Sequence, residues 1–404
     1  MTDYYVRPSA TPGTYGLEDG TSYANAWNGL TNIDWTLIGY GDVLWVAGTH
    51  TAEDFVINSD DTGGGSADCT IRGDYSGDPG IIDRSAASGT YVVDLEDNCP
   101  TGAGDMVIKN LEVRGGNYSA IVRVQNAADR VRLESVTAVG DNSSNTTGLL
   151  GTCADRLDIT DPIVRDCRTG ITLSASGSGN QDGVVSGGKV SLQNHANSQG
   201  IIASNTFQAA SGGLVISGVE ITGWGEEAID LFSANNVTIN SVWAHHDNGL
   251  GVGNAIKSGG SSTTGTDIVG NVVNDVTGYG ISNNGGQGTS ISGNLVLRCG
   301  DRGIVVNDSY TNVNDNHIFG CAGLAMDLTD TITIGGFYRN LSDGTLEIDS
   351  NVTITVGGSN HFGAITNNGT YTADPQDIIN KLPNFAHRNF SAYLFETMDG
   401  EKLA

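Results

Sequence analysis

Short runs of alternating apolar and polar residues recur along the chain, at 106–110, 131–136, 157–163, 214–221, 237–242, 268–273, 291–296 and 313–318. A period of two is the mark of a strand with one buried face, and each run closes near Asn, Asp, Ser or Gly. Equivalent points fall at Gly218, Ser241, Asn271, Asn294 and Asn316, with steps of 23 (241 − 218), 30 (271 − 241), 23 (294 − 271) and 22 (316 − 294). A period in the low twenties without helices between the strands predicts a solenoid, in which each coil buries its apolar face by stacking on the next. The leucine consensus of leucine-rich repeats is missing. The pattern therefore predicts an all-β fold, a single-domain right-handed parallel β-helix with caps at both ends.

A second strand in each coil opens on Gly-Ile or Ala-Ile. Ile201, Ile229, Ile256, Ile281 and Ile304 should point inward, and the residues after them, Ile202, Asp230, Lys257, Ser282 and Val305, outward. Coils lie about 4.8 Å apart, so this register makes Asp230 and Lys257 neighbours on an exposed face. Asn271, Asn294 and Asn316 are expected to form an amide ladder at a bend, each side chain bonding to the next coil.

Residues 1–50 read as an N-terminal cap. Ala24, Ala26, Trp27, Leu30 and Ile33 have helix-like spacing, and 42–46 is a strand. The β-helix proper is assigned to 51–335. Beyond about Thr331 the register loosens, and 336–404 is assigned to C-terminal coils and a cap, with a short helix at 375–382 N-capped by Asp374. Such a cap covers the unpaired strand edge that a solenoid end exposes.

Composition supports one continuous architecture: the 404 residues include 58 Gly and only 7 Pro, and the 38% apolar residues fall in regular runs. The formal charge of −27, from 46 acidic and 19 basic residues, repels nucleic acid and anionic membranes, so neither is an expected partner. An acidic polysaccharide is also repelled unless Lys, Arg or bound cations reverse the sign locally. No apolar run approaches transmembrane length. The opening MTDYYVRPSA shows no signal peptide. A secreted, extracellular protein is expected, either separated from its signal peptide or carried out in a phage particle. Cys69, Cys99, Cys153, Cys167, Cys299 and Cys321 fit no zinc spacing. Cys299 and Cys321 stand at matching points of two coils, as stacked thiols or a disulfide, buried thiols being favoured.

Chemistry gathers between Trp224 and Gly260. Glu226, Glu227 and Asp230 place three carboxylates within five positions, oxygen donors of the kind that Ca²⁺ takes in a flexible cage. The plain alternative is a solvated acidic turn. Lys257, one coil on, is either a surface lysine paired with Asp230 or, with its pKa lowered by burial and a nearby cation, a general base.

The run Glu226-Glu227-Ala228-Ile229-Asp230-Leu231-Phe232 is followed by Ser241-Val242-Trp243-Ala244, by Asn248-Gly249, and by Gly253-Asn254-Ala255-Ile256-Lys257-Ser258-Gly259-Gly260. With Gly280-Ile281-Ser282-Asn283-Asn284 on the next coil, it resembles the family 9 polysaccharide lyases, calcium-dependent pectate lyases built on a right-handed parallel β-helix. The resemblance covers about 198–305. It implies Ca²⁺ as cofactor, Lys257 as the base that removes the C5 proton of a uronate, and Glu226, Glu227 and Asp230 as metal ligands. Gln199, before Gly200-Ile201, stands nearest a fourth ligand. Two Glu replace Asp, Ala-Ile replaces Gly-Phe in both motifs, and Gln199 offers only a neutral oxygen.

The expectation is therefore a polysaccharide lyase acting on an acidic polysaccharide, a polyuronate such as pectate, by calcium-assisted β-elimination. Arg298 or Arg302 would pair with a second uronate carboxylate, or simply with Asp301. His245 or His246 would contact substrate, or be exposed turn residues. The rivals are a phage tailspike-type hydrolytic depolymerase, an alginate lyase or uronan C5-epimerase, and a carbohydrate-binding or adhesive β-helix without catalysis. The chain is expected to be a monomer, or a homotrimer in the phage case.

Overall fold

The computed structural model describes residues 1–57, 67–95, 105–125, 130–141, 146–152, 156–174, 182–192, 195–204, 213–355, 357–370 and 378–379. The strands stack into a parallel β-helix in which the pairings among the described residues are parallel, with register shifts at Arg84/Ser88, Gly259/Thr263 and Thr311/Asn312. In the coils around the site three strands alternate. The first stack runs through Leu214–Ser217, Val237–Asn240, Asp267–Val269 and Ser290–Ser292. The second runs through Glu220–Thr222, Trp243–His245, Val272–Val276 and Leu295–Cys299. The third runs through Gln199–Ser204, Glu227–Phe232, Asn254–Thr264, Ile281–Gln287, Ile304–Val306 and Met326–Leu328.

The corner between the first and second stacks explains the polar residue that closes each alternating run. Asn110, Ser135, Asp161, Gly187, Gly218, Ser241, Gly270, Gly293 and Asp315 occupy one column there, each with φ between 49° and 65°. One left-handed residue turns the chain from one stack to the next, and Gly, Asn and Asp adopt that conformation at least cost. Each backbone N–H in the column donates to a carbonyl of the following coil, so the corners are bonded as continuously as the strands.

This column corrects the coil alignment. Ser241 stands opposite Gly270, and Asn271 opposite Val242, whose N–H donates to Asn271 Oδ1 at 3.0 Å across a step of 29 residues. The amide ladder is present and longer than expected. Asn271, Asn294, Asn316, Asn340 and Asn360 are all buried, and each Nδ2 from Asn271 to Asn340 donates to the next Asn Oδ1 at 2.9–3.0 Å.

The third-stack register is as read. Ile201, Ile229, Ile256, Ile281 and Ile304 are paired in sequence and fully buried, and Ile202, Asp230, Lys257, Ser282 and Val305 form the parallel outward column. A slip of one residue would turn Asp230 and Lys257 into the core, so the buried isoleucines fix the site.

At the N-terminus the helix-like spacing of 22–35 does not produce an α-helix. The segment forms the 3₁₀ turns Tyr23–Asn25 and Leu30–Asn32 around the short strand Trp27–Asn28, and Trp35–Leu37 follows. Gly29 at φ 97° breaks the run, while Ala26, Trp27, Leu30 and Ile33 are still buried. At the other end strands continue through Ala364–Asn367. Within the expected helix at 375–382, Ile378–Ile379 instead pair as a strand with His361–Phe362; Asp374 and the rest lie outside the described residues. Cys299 and Cys321 are unbridged thiols, Cys299 buried in the core, whereas Cys99 and Cys153 lie outside the described residues.

Candidate active site

On the third stack the outward positions form two columns. Gln199, Glu227 and Asn254 are in register along one, and Ile202, Asp230 and Lys257 along the other. Because coil spacing is close to the reach of a side chain, residues on successive coils meet. Lys257 Nζ lies 3.2 Å from Glu227 Oε1 and 3.4 Å from Asp230 Oδ1. Gln199 Nε2 donates to Glu227 Oε2 at 3.1 Å and to Asp230 Oδ2 at 3.3 Å. Glu227 and Asp230 are buried, and the lysine side chain keeps a quarter of its surface in solvent.

The electrostatics follow from this packing. Burial pushes the Glu227 carboxyl above the ordinary range and the Asp230 charge adds to it, while Lys257 and Gln199 act in the opposite sense. For Lys257, burial works against the charge, but the carboxylates of Asp230 and Glu227 outweigh it and hold the ammonium above the usual lysine value. The lowered pKa expected of a base is therefore not present in this arrangement.

Glu226 stands one residue before the strand. Its N–H donates to Ser198 O and its carbonyl accepts from Asn254 N, and its carboxylate reaches the cluster through its charge on Glu227. A calcium cage would need carboxylate and amide oxygens converging on one point. Here Gln199 turns its amide nitrogen to the carboxylates, and the ammonium of Lys257 faces them from the next coil. Among the described residues no three His, Cys, Asp or Glu side chains converge as a metal site. With Lys257 and the Gln199 amide nitrogen turned onto these carboxylates, the donor set in this arrangement does not fit Ca²⁺, and no step is routed through it.

The remaining candidates separate. Arg302, two residues before Ile304, lies just ahead of the third-stack strand two coils beyond Lys257. Its Nε meets Asp327 Oδ2 at 3.2 Å and its Nη1 donates to Tyr279 Oη at 3.4 Å, so its partner is Asp327 and not Asp301. Arg298, next to last in its second-stack strand, has φ 51° and pairs bidentately with Asp275. His245 ends its second-stack strand, and His246 follows at a left-handed corner. His245 stacks on Trp243 with centroids 3.9 Å apart, its Nε2 meets Glu220 Oε1 at 3.1 Å, and the two Nδ1 atoms are 2.6 Å apart. His246 Nε2 in turn faces Asp275 at 3.5 Å. These three residues lie around a corner from Lys257, so they do not share its face.

Sequence reasoning passed over Asn254, Tyr279 and Phe232. Asn254 is buried, and its Oδ1 accepts the Tyr279 N–H at 3.0 Å, tying the lysine coil to the next. Its signal was its place three residues before Lys257, matching Glu227 before Asp230.

No family model matches the chain, and no curated protein matches it in sequence. Among solved structures, a mutant of the periplasmic alginate epimerase AlgG superposes with a TM-score of 0.49 at 9% identity, over 76% of this chain and 76% of that one. A mannuronic acid specific polysaccharide family 6 lyase from human gut microbiota gives a TM-score of 0.44 at 11% identity, over 94% of this chain and 91% of that one.

Proposed function

We propose that the chain is a polysaccharide lyase that cleaves a polyuronate by β-elimination at Lys257. The observation that carries this is the half-buried amine of Lys257, held between Glu227 and Asp230 on an outward, solvent-reached face of the β-helix. The motif resemblance supports a uronate as substrate and pectate as the first to test. In the reaction the neutral amine takes the C5 proton, C4=C5 forms as the C4–O4 bond breaks, and the departing oxygen is protonated from solvent. The lysine then returns its proton to solvent, so the cycle closes with no water or other co-reactant consumed. Acidic polysaccharides of this class lie outside the cell, which fits a secreted enzyme.

The test is ultraviolet absorbance of the unsaturated product on polygalacturonate, alginate and other uronans, each with Ca²⁺ and with chelator. Product that persists in chelator is the expected result. Loss in chelator would return a cation to Glu226, Glu227 and Asp230. Inversion at C5 without cleavage would make the protein an epimerase, which shares the first step. New reducing ends without absorbance would make it a hydrolase, and no reaction on any uronan would sink the proposal.

The raised pKa of Lys257 has a kinetic signature. Since the ammonium must lose its proton to act, kcat/KM should climb about tenfold per pH unit on the acid side and level only above the pKa of the folded lysine. Asp230→Asn removes one of the charges that hold the proton. The acid limb should then move down by about one pH unit, even if the maximum rate falls. A limb that stays put or moves up would exclude Lys257 as the base.

A further inference from the structure

Phe232 is the last residue of the strand that carries Glu227 and Asp230, and 53% of it is exposed. Its register partners are small, Ser204 on the coil before and Gly259 on the coil after. Between these small partners the ring is the one large side chain, two residues or about 6.6 Å along the strand from Asp230. Beside it the next coil is a step without side chains. A Cβ at Gly259 would lie 2.8 Å from Asn284 O and 3.6 Å from Lys257 Cε; one at Gly260 would lie 2.9 Å from Ser233 N, 3.0 Å from Ser233 Oγ and 3.5 Å from Phe232 Cδ2. The close approach of Asn284 O requires glycine at 259. The consequence is a low shelf, floored by Asn284 O and Ser233, running from the ring to the stem of Lys257, with the exposed Asn284 at its far side.

We infer that Phe232 and the Gly259–Gly260 shelf form a subsite for one pyranose ring of the polyuronate, next to the sugar that loses its proton. The inference rests on the polyuronate reading for the identity of that sugar. A pyranose has a face of C–H bonds with slight positive charge, and an aromatic face is electron-rich, so the two stack while the hydroxyls remain at the rim. A flat ring can approach the shelf because residues 259 and 260 carry no side chains. Coil spacing of about 4.8 Å is close to the length of one pyranose unit, so a chain lying along the third-stack face presents one sugar per coil. The aromatic surface adds affinity without adding charge, which matters in a protein whose net charge of −27 repels its own substrate.

The experiment is calorimetric titration of short galacturonate and mannuronate oligomers at about pH 5, where Lys257 holds its proton and cleavage stalls. The parent, Phe232→Ala and Phe232→Trp are compared. Loss of the ring should weaken binding about ten- to thirtyfold, and tryptophan should preserve it. Phe232→Ala binding as tightly as the parent would overturn the subsite, and so would failure of every oligomer to bind the parent. Phe232-dependent binding with no unsaturated product at alkaline pH would overturn the lyase and leave the subsite standing. The ring is exposed, so its truncation leaves the core intact.

Discussion

Lys257→Ala should lower turnover on a uronan by about a thousandfold or more, the scale of losing a positioned general base. Truncation has a second consequence that has to be separated from the first. It leaves Glu227 and Asp230 facing each other with only Gln199 between them, and the Glu227 carboxyl, already raised by burial, takes a proton more readily. Some local loosening is therefore expected from alanine alone. Lys257→Arg resolves the two effects. Arginine preserves the positive charge and can pair with both carboxylates, but it does not give up its proton in any accessible range. If Lys257 is the base, arginine is as inactive as alanine while melting near the parent temperature. If Lys257 only neutralises charge, arginine retains most of the activity, and the base must be sought among the carboxylates. Unsaturated-product assays and thermal melts on the three proteins decide between these outcomes.

The part of the site set by alternation was legible in the sequence. Ile201, Ile229, Ile256, Ile281 and Ile304 mark one buried column, and period two then places Asp230 and Lys257 side by side on the other face. Phe232 carried the same signal, two positions beyond Asp230. What alternation does not encode is how stacks turn. His246 and Arg298 both sit at left-handed corners, with φ of 53° and 51°, so residues near Lys257 in the chain end on another face. The coil of 29 residues was misaligned for a related reason: Ser241 resembles the ladder asparagines in type but occupies the corner before them. Nor does a count of carboxylates show what faces them. Three acids within five positions suggest a cation cage, whereas the neighbouring coil brings its own cation, the Lys257 ammonium, to Glu227 and Asp230.

Asn294→Ala should destabilise the β-helix by about 4 kcal/mol, although residue 294 touches no part of the site. Its side chain is buried and makes four hydrogen bonds. Oδ1 accepts from Asn271 N and Asn271 Nδ2, both at 3.0 Å, and Nδ2 donates to Ile268 O and Asn316 Oδ1, both at 2.9 Å. Alanine deletes all four and orphans the Asn271 N–H, one Asn271 amide hydrogen and the Ile268 carbonyl. Each buried orphan costs about 1–3 kcal/mol, and an alanine side chain offers no donor or acceptor in its place. Aspartate is expected to be worse than alanine. It retains the acceptor, but places a buried negative charge against Ile268 O and Asn316 Oδ1, where donors are required. Because each coil contacts only its neighbours, the loss should be local, with amide hydrogens of the coils around 268–316 exchanging faster than those nearer the N-terminus. Urea unfolding and hydrogen exchange measure both effects. A midpoint shift equivalent to less than about 1 kcal/mol would mean that water replaces the rung at little cost, and that stacked strands, rather than the ladder, hold the coil spacing on which the meeting of Lys257 with Asp230 depends.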